Sequence, residues 1–431
     1  MEHCKRGHDD KKKLAKYSEV REFRFKRKMQ FITVQDTFID VIQDVEDGTV
    51  EQESFWVSRR ASEESEQELF YINVAKEDNQ VKFTNLEGVV FVQFSLKNRR
   101  RFKLKIGDDS YDLQASESWH TFDSVMSLAS TSNKLIMGTV QGTYIVYDLK
   151  EKKIVKEVKG AHAANIEHIR VFPSHQVILT VGLDLQMKIW LLENDSQIPA
   201  QVLKGHTLGI TSIEFIGNGR NYLTGSLDGA VNLWECGSGS LVYSFRRIDN
   251  LQDPVNCIAT VELPKPWSVT EPLTDKEFDT VGRELYVGYE SGIIQSFDVG
   301  YHSQLRKRLV GFEGVAVTSM VISGKYIIAG YGNGHILVWE QETIKIDVSL
   351  SPHRIAHLTV LNESEHQLQV LVTNGADLIL KVNIDVENST HSITYMVGVP
   401  ELFTATSVSY NGAHLFVSDK SGVAVFPMAE T

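Results

Sequence analysis

Cysteine is scarce in this 431-residue sequence: Cys4, Cys236 and Cys257 stand at spacings that fit neither a disulfide framework nor a metal-binding pair. That usage points to a reducing compartment, cytoplasm or nucleus. Long apolar runs are also missing. No stretch approaches the roughly eighteen residues of a helical membrane span, and no segment shows the pattern of a signal peptide. The fourteen histidines include no HExxH and no paired-ligand spacing, which argues against a metal site. Gly332-Asn333-Gly334 falls between two strand-like runs rather than ahead of a helix, so it is no phosphate loop. No cofactor is expected.

What is present is a repeat. From Lys204 to Glu235 the chain reads KGHTLGITSIEFIGNGRNYLTGSLDGAVNLWE: Gly205-His206, an alternating strand, a Ser226-x-Asp228-Gly229 turn and a second alternating strand ending in Trp234-Glu235. This is the pattern of one four-stranded WD-type blade, a unit that cannot bury its own faces and so implies copies of itself. The position of Trp234 is taken in successive units by Tyr147, Trp190, Trp234, Phe297, Trp339, Val382 and Pro427. The spacings are 43, 44, 63, 42, 43 and 45 residues, against the roughly 40–45 of a propeller blade. The long interval holds Glu262 to Gly282, whose prolines and charges read as a loop inserted between the first two strands of that blade. Hairpin signals recur at Gln141-Gly142 and Asn333-Gly334. The sixth and last units depart from the pattern, at Gly375-Ala376-Asp377 and Pro427, and are expected to be the loosest.

The expected fold is therefore all-β: a seven-bladed WD-repeat propeller over residues 115–431 with an insertion at 262–282. A basic leader over 1–28, read as a disordered tail, and a small β-rich lobe over 29–114 precede it; Met29 is a second candidate start. In the lobe FITVQDTFIDVIQDV, FYINV and VVFVQFSLK read as strands, and Glu63 to Glu68 as an acidic turn. The last unit lacks a fourth strand. A strand near Tyr111 to Ala115 is expected to supply it and close the ring.

His206, Ser226 and Asp228 have the composition of a hydrolase triad, yet no Gly-x-Ser-x-Gly elbow surrounds Ser226. The repeat assigns them a structural role, a buried hydrogen-bond chain ending on the Trp234 indole. A weaker copy with His162, Asp184 and Trp190, and Gly182 at the serine place, fits support rather than catalysis. No enzymatic activity is expected.

Charge divides the chain. The first 28 residues carry eleven Lys or Arg against five Asp or Glu, a net +6, which leaves −18 on the rest of a chain whose total is −12. An acidic body disfavours nucleic acid and favours a basic protein partner. In the turns and loops of one propeller face stand Asp249, Asp253, Glu290, Glu313 and Glu401, the expected partner-binding patch.

Gly217 to Phe245, GNGRNYLTGSLDGAVNLWECGSGSLVYSF, resembles the proteasomal ATPase-associated factor family, in Gly219-Arg220-Asn221 and Trp234-Glu235-Cys236-Gly237 above all. Asp184 to Trp190 after Phe172-Pro173-Ser174 is similar to the family's preceding blade, and Phe70 to Val74 to the amino-terminal lobe of its fungal members. The resemblance implies a monomeric, non-catalytic assembly chaperone of the 26S proteasome regulatory particle. Such a chaperone binds the carboxy-terminal helical domain of one AAA ATPase subunit of the base and is absent from the finished particle. Fold alone leaves open a generic scaffold or adaptor in ribosome biogenesis, chromatin or ubiquitin-ligase complexes.

Overall fold

A computed structural model describes residues 31–35, 37–60, 66–85, 89–94, 101–116, 118–120, 124–193, 196–263, 271–350, 352–375, 379–397, 405–419 and 422–428. The leader and Glu401 lie outside them. Seven antiparallel blades follow one another, with innermost strands Val125–Ser130, Ile166–Val171, Ile210–Ile216, Val255–Glu262, Val317–Ser323, Ile355–Glu363 and Ser407–Tyr410. Each innermost strand touches the next, and the seventh touches the first, so the ring is closed. The sequence insertion leaves from Glu262 and returns at Arg283, between the first two strands of blade 4.

The blades approach closely because small residues stand where they meet. A methyl group on Gly138, Gly225, Gly288 or Gly330 would lie 2.6–2.8 Å from Ile166, Val255, Val317 or Ile355 of the following blade. A β-branched side chain thus fills the space that each glycine leaves open.

Polar side chains span every junction as well. Ser127 Oγ donates to Ile166 O at 2.8 Å, His168 Nε2 to Ile210 O at 3.0 Å and Thr211 Oγ1 to Val255 O at 2.8 Å. Cys257 Sγ reaches Val317 O at 3.9 Å, Thr318 Oγ1 donates to Ile355 O at 2.6 Å, His357 bonds the backbone of Thr406, and Thr406 Oγ1 donates to Val125 O at 3.0 Å. Enclosure in the ring pushes the His168 and His357 imidazoles down to about 4, with the nearby Arg170 guanidinium acting in the same direction. Both rings are therefore neutral at pH 7.

Two expectations about the first 120 residues are corrected. Phe38–Asp47 is a helix, not a strand, because Phe38, Val41, Ile42 and Val45 repeat at helical spacing and bury one face. Gly48, at φ 76°, ends it in the left-handed conformation and donates back to Val45 O. Tyr111 to Ala115 does not close the ring. It belongs to the strand Asp109–Ala115, which pairs in parallel with Thr394–Val397 and joins Val89–Phe94 and Arg101–Ile106 to blade 6 as a seven-stranded sheet. The strand that completes blade 7 is Ser118–His120, paired with Val423–Val425. Blade 6, expected to be loose, is thus the one reinforced. The rest of the lobe, strands Phe31–Val34, Gln52–Arg60, Glu68–Glu77 and Gln80–Asn85, shares a core with it: Phe38 meets the tilted rings of Phe55 and Phe102 in one cluster with Val370 and Val382.

Two measurements check the ring. Gly330→Ala should lower stability by about 1–3 kcal/mol through overpacking on Ile355, whereas Gly209→Ala, whose added methyl would meet nothing nearer than 3.7 Å, should be close to neutral in the same thermal melts. The two buried histidines set an acid limit. An unfolded chain takes up protons near pH 6.5 that the folded ring refuses until about pH 4, so stability should fall as pH drops through that window. His168→Gln with His357→Gln should flatten that slope.

Candidate partner-binding face

The turns between second and third strands and the loops leading into each blade meet on one face of the ring. Gly229, at φ 79°, is required there: a Cβ would lie 2.6 Å from the carbonyl of Leu251 in the next loop. The same backbone bond recurs around this face. Val140 N donates to Ser124 O, Leu183 N to Asn165 O, Leu227 N to Gly209 O, Glu290 N to Pro254 O, Gly332 N to Ala316 O and Gly375 N to Arg354 O, all at 2.9–3.0 Å.

Under the face, blade 3 is tied by a chain of four side chains. Trp234 Nε1 donates to Thr224 Oγ1 at 2.8 Å, that hydroxyl lies 2.8 Å from His206 Nε2, and His206 Nδ1 lies 3.0 Å from Asp228 Oδ2. Asp228 also accepts the amides of Thr207 and Ala230. Burial alone would raise its carboxyl, but these bonds outweigh that and hold it at about 2. Thr224, not Ser226, is therefore the link. Ser226 Oγ turns to Leu208 O and the Asp228 amide, and His206 Nε2 is occupied by a hydroxyl on a fully buried residue. The hydroxyl paired with His206 is that of Thr224, which is fully buried and already holds the Trp234 indole.

Blade 2 carries the same chain complete. Trp190 Nε1 donates to Thr180 Oγ1 at 2.9 Å, Thr180 lies 2.8 Å from His162 Nε2, and His162 Nδ1 lies 3.0 Å from Asp184. Gly182 at the serine place weakens nothing; its added methyl would strike the His162 ring at 2.4 Å. The missed signal was a threonine ten residues before each tryptophan.

The five acidic residues fare differently. Asp253 is a correction: it is buried, its carboxylate 2.7 Å from Arg247 Nη1 and accepting the amide and hydroxyl of Ser291. Ser291 stands in blade 4 where Asp228 stands in blade 3, so the loop-to-turn tie is made with the carboxylate on the opposite partner. Asp249 is exposed but lies 2.8 Å from Arg247 and 3.2 Å from Arg308. Glu290 and Glu313 are exposed; Glu290 accepts from Asn256 Nδ2 at 2.8 Å. The structure gathers Asp249, Asp253 and Glu290 around the start of blade 4, with Glu313 in the following loop. Among the described residues no cluster of His, Cys, Asp or Glu is placed to hold a metal ion.

On the opposite side of blade 3, Gly219-Arg220-Asn221 acquires a physical role. The Asn221 amide donates to Trp234 O and Lys276 O and accepts from Phe278 N, while the Arg220 guanidinium lies 3.4 Å from the Phe278 ring centroid. These letters dock the returning limb of the insertion.

The WD domain, G-beta repeat family matches residues 197–235, and the solved structure of the RRP9 WD40 repeats superposes over 72% of this chain and 96% of its own length with a TM-score of 0.58. The chain is a WD-repeat propeller. At 11% sequence identity that superposition speaks for the fold alone. By sequence, the propeller is similar to the 26S proteasome regulatory subunit RPN14 of Saccharomyces cerevisiae, 28% identical over 259 residues that make up 58% of this chain and 60% of that protein. It is also similar to the Periodic tryptophan protein 2 homolog of Caenorhabditis elegans, at 26% over 52% of this chain and 23% of that protein. WD repeat-containing protein 36 of Homo sapiens matches at 25%, over 62% and 29%. The chain spans less than two thirds of the length of each of these relatives.

The ties predict an order of sensitivity. Thr224→Val orphans the Trp234 and His206 nitrogens and should cost about 1–3 kcal/mol for each buried group left unpaired. Ser226→Ala should cost clearly less in the same denaturant titrations. The Asp228 contribution is present above about pH 4, the unfolded carboxylate range, and is lost as pH falls towards 2.

Proposed function

We propose that this propeller is a non-catalytic chaperone for assembly of the base of the 26S proteasome regulatory particle, acting in cytoplasm and nucleus. Its partner in this reading is the carboxy-terminal helical domain of one AAA ATPase subunit, bound by a monomer and released before the particle is complete. The similarity to RPN14, a proteasome regulatory subunit by name, carries the proposal. The chemistry of the face is compatible with it: His206, Asp228 and their equivalents are occupied in structural ties, which leaves the exposed loops to bind. A second reading, a scaffold in another complex, draws on the comparable shares of the chain matched by the worm and human relatives.

Affinity purification from growing cells separates the two. Recovery of base ATPases without subunits of the proteolytic core supports the chaperone; recovery of an unrelated complex overturns it in favour of the scaffold. Because Glu290 and Glu313 are exposed whereas Asp253 is built into the fold, Glu290→Lys with Glu313→Lys should slow ATPase-domain capture about tenfold at low salt, through lost steering. The difference should close at high salt. Stopped-flow association rates provide the measurement.

A further inference from the structure

The face that carries these carboxylates also carries apolar side chains. Val140, Leu183 and Leu227 occupy the same turn position in blades 1, 2 and 3, and Leu208, Ile248 and Leu251 lie in the loops leading into blades 3 and 4. All six are large and between 36% and 77% exposed. Around blade 3 the turn and the next loop are held together through the backbone: Arg246 Nη1 donates to the carbonyls of both Asp228 and Leu251, at 2.6 and 3.0 Å. At the equivalent turn position the next three blades carry Glu290, Gly332 and Gly375. Among the described residues the face therefore carries an apolar arc over blades 1–3, carboxylates in the blade 4 turn and the loop leading into blade 5, and glycine at the turn position of blades 5 and 6.

We propose that this arc is a docking surface for an amphipathic helix whose apolar stripe lies along Leu183, Leu227 and Leu251 and whose basic end meets Glu290 and Glu313. Six large apolar side chains exposed on the same face mark an interaction site. The occupant is a helix because the turn amides of the arc are already spent on neighbouring carbonyls, so no free strand edge is offered for β-pairing. A partner held by side chains alone must satisfy its own backbone. The end is basic because neither Glu290 nor Glu313 forms an ion pair among the described residues. This inference refines the partner-binding reading above by placing the main contact on leucines rather than on the acidic patch.

The test titrates the full chain with the isolated carboxy-terminal helical domain of each base ATPase. It uses in parallel a designed helical peptide with a leucine stripe and an Arg-rich end, and a control peptide with a Glu-rich end. Leu227→Asn with Leu251→Asn, both at exposed positions, should leave the melting temperature unchanged and weaken domain binding at least tenfold. The Arg-ended peptide should bind the wild-type chain more tightly than the Glu-ended one. If a domain binds and the double variant holds it equally well, the arc is wrong while the ATPase reading stands. If no domain binds but the Arg-ended peptide does, and the variant loses it, the ATPase reading fails and the arc stands. Binding of neither overturns the arc. Self-association that disappears in the variant assigns the surface to a second copy of the chain and overturns it too.

Discussion

Everything on the outer and upper surfaces of this molecule depends on how closely seven innermost strands approach one another. A blade is a four-stranded sheet with two apolar faces, and only the neighbouring blade can cover them. Two devices set the approach. Glycine on one blade opposite a β-branched residue on the next lets the sheets close, and a hydroxyl, imidazole or thiol on each inner strand reaches the backbone of its neighbour. The first supplies contact and the second supplies register. Serine, threonine, cysteine and histidine all serve, because what recurs is the acceptor, in six junctions the carbonyl of the first residue of the next inner strand, rather than a particular donor.

With the spacing fixed below, the loops above are fixed as well. In six blades one turn amide finds a carbonyl of the loop leading into the blade, and two blades add the Trp–Thr–His–Asp chain that couples the third strand to the turn. Blade 4 meets the same need with Asp253, Ser291 and Arg247. A rigid face results whose remaining side chains are free to differ from blade to blade, and they do: apolar over blades 1–3, acidic at 4 and 5.

The repeat was legible because its period, its glycine turns and its tryptophans are properties of single strands and hairpins. What was not legible depended on partners distant in sequence. Tyr111 to Ala115 is the better strand by pattern, yet the three-residue Ser118–His120 closes the ring, since which edge a strand reaches is set by where the lobe docks. Asp253 reads as one more surface carboxylate until Arg247 and Ser291 are seen around it. Phe38 to Asp47 was a misread period, not a hidden one: Phe38, Val41, Ile42 and Val45 already spelled a helix. Thr224 is hard to pick out because Ser226, two residues nearer the turn, carries the Ser-x-Asp-Gly pattern while the bond to His206 forms only in the folded blade. Gly219-Arg220-Asn221 stood out as unusual letters, but only the insertion folded against them shows what they do.

Two strand pairings join the two ends of the chain, Ser118–His120 with Val423–Val425 and Asp112–Ala115 with Thr394–Val397, across about three hundred residues. Both wait until residues 394–425 have been added to a chain made from its amino-terminal side. Until then the growing chain is an open arc of blades, and the strands Asp109–Ala115 and Ser118–His120 lack the blade strands that they pair with in the finished ring. Closure entropy rises only slowly with loop length, so the delay is one of order rather than of stability. Such contacts of long sequence separation slow folding, and for this ring they make the final step also the step that hides its edges.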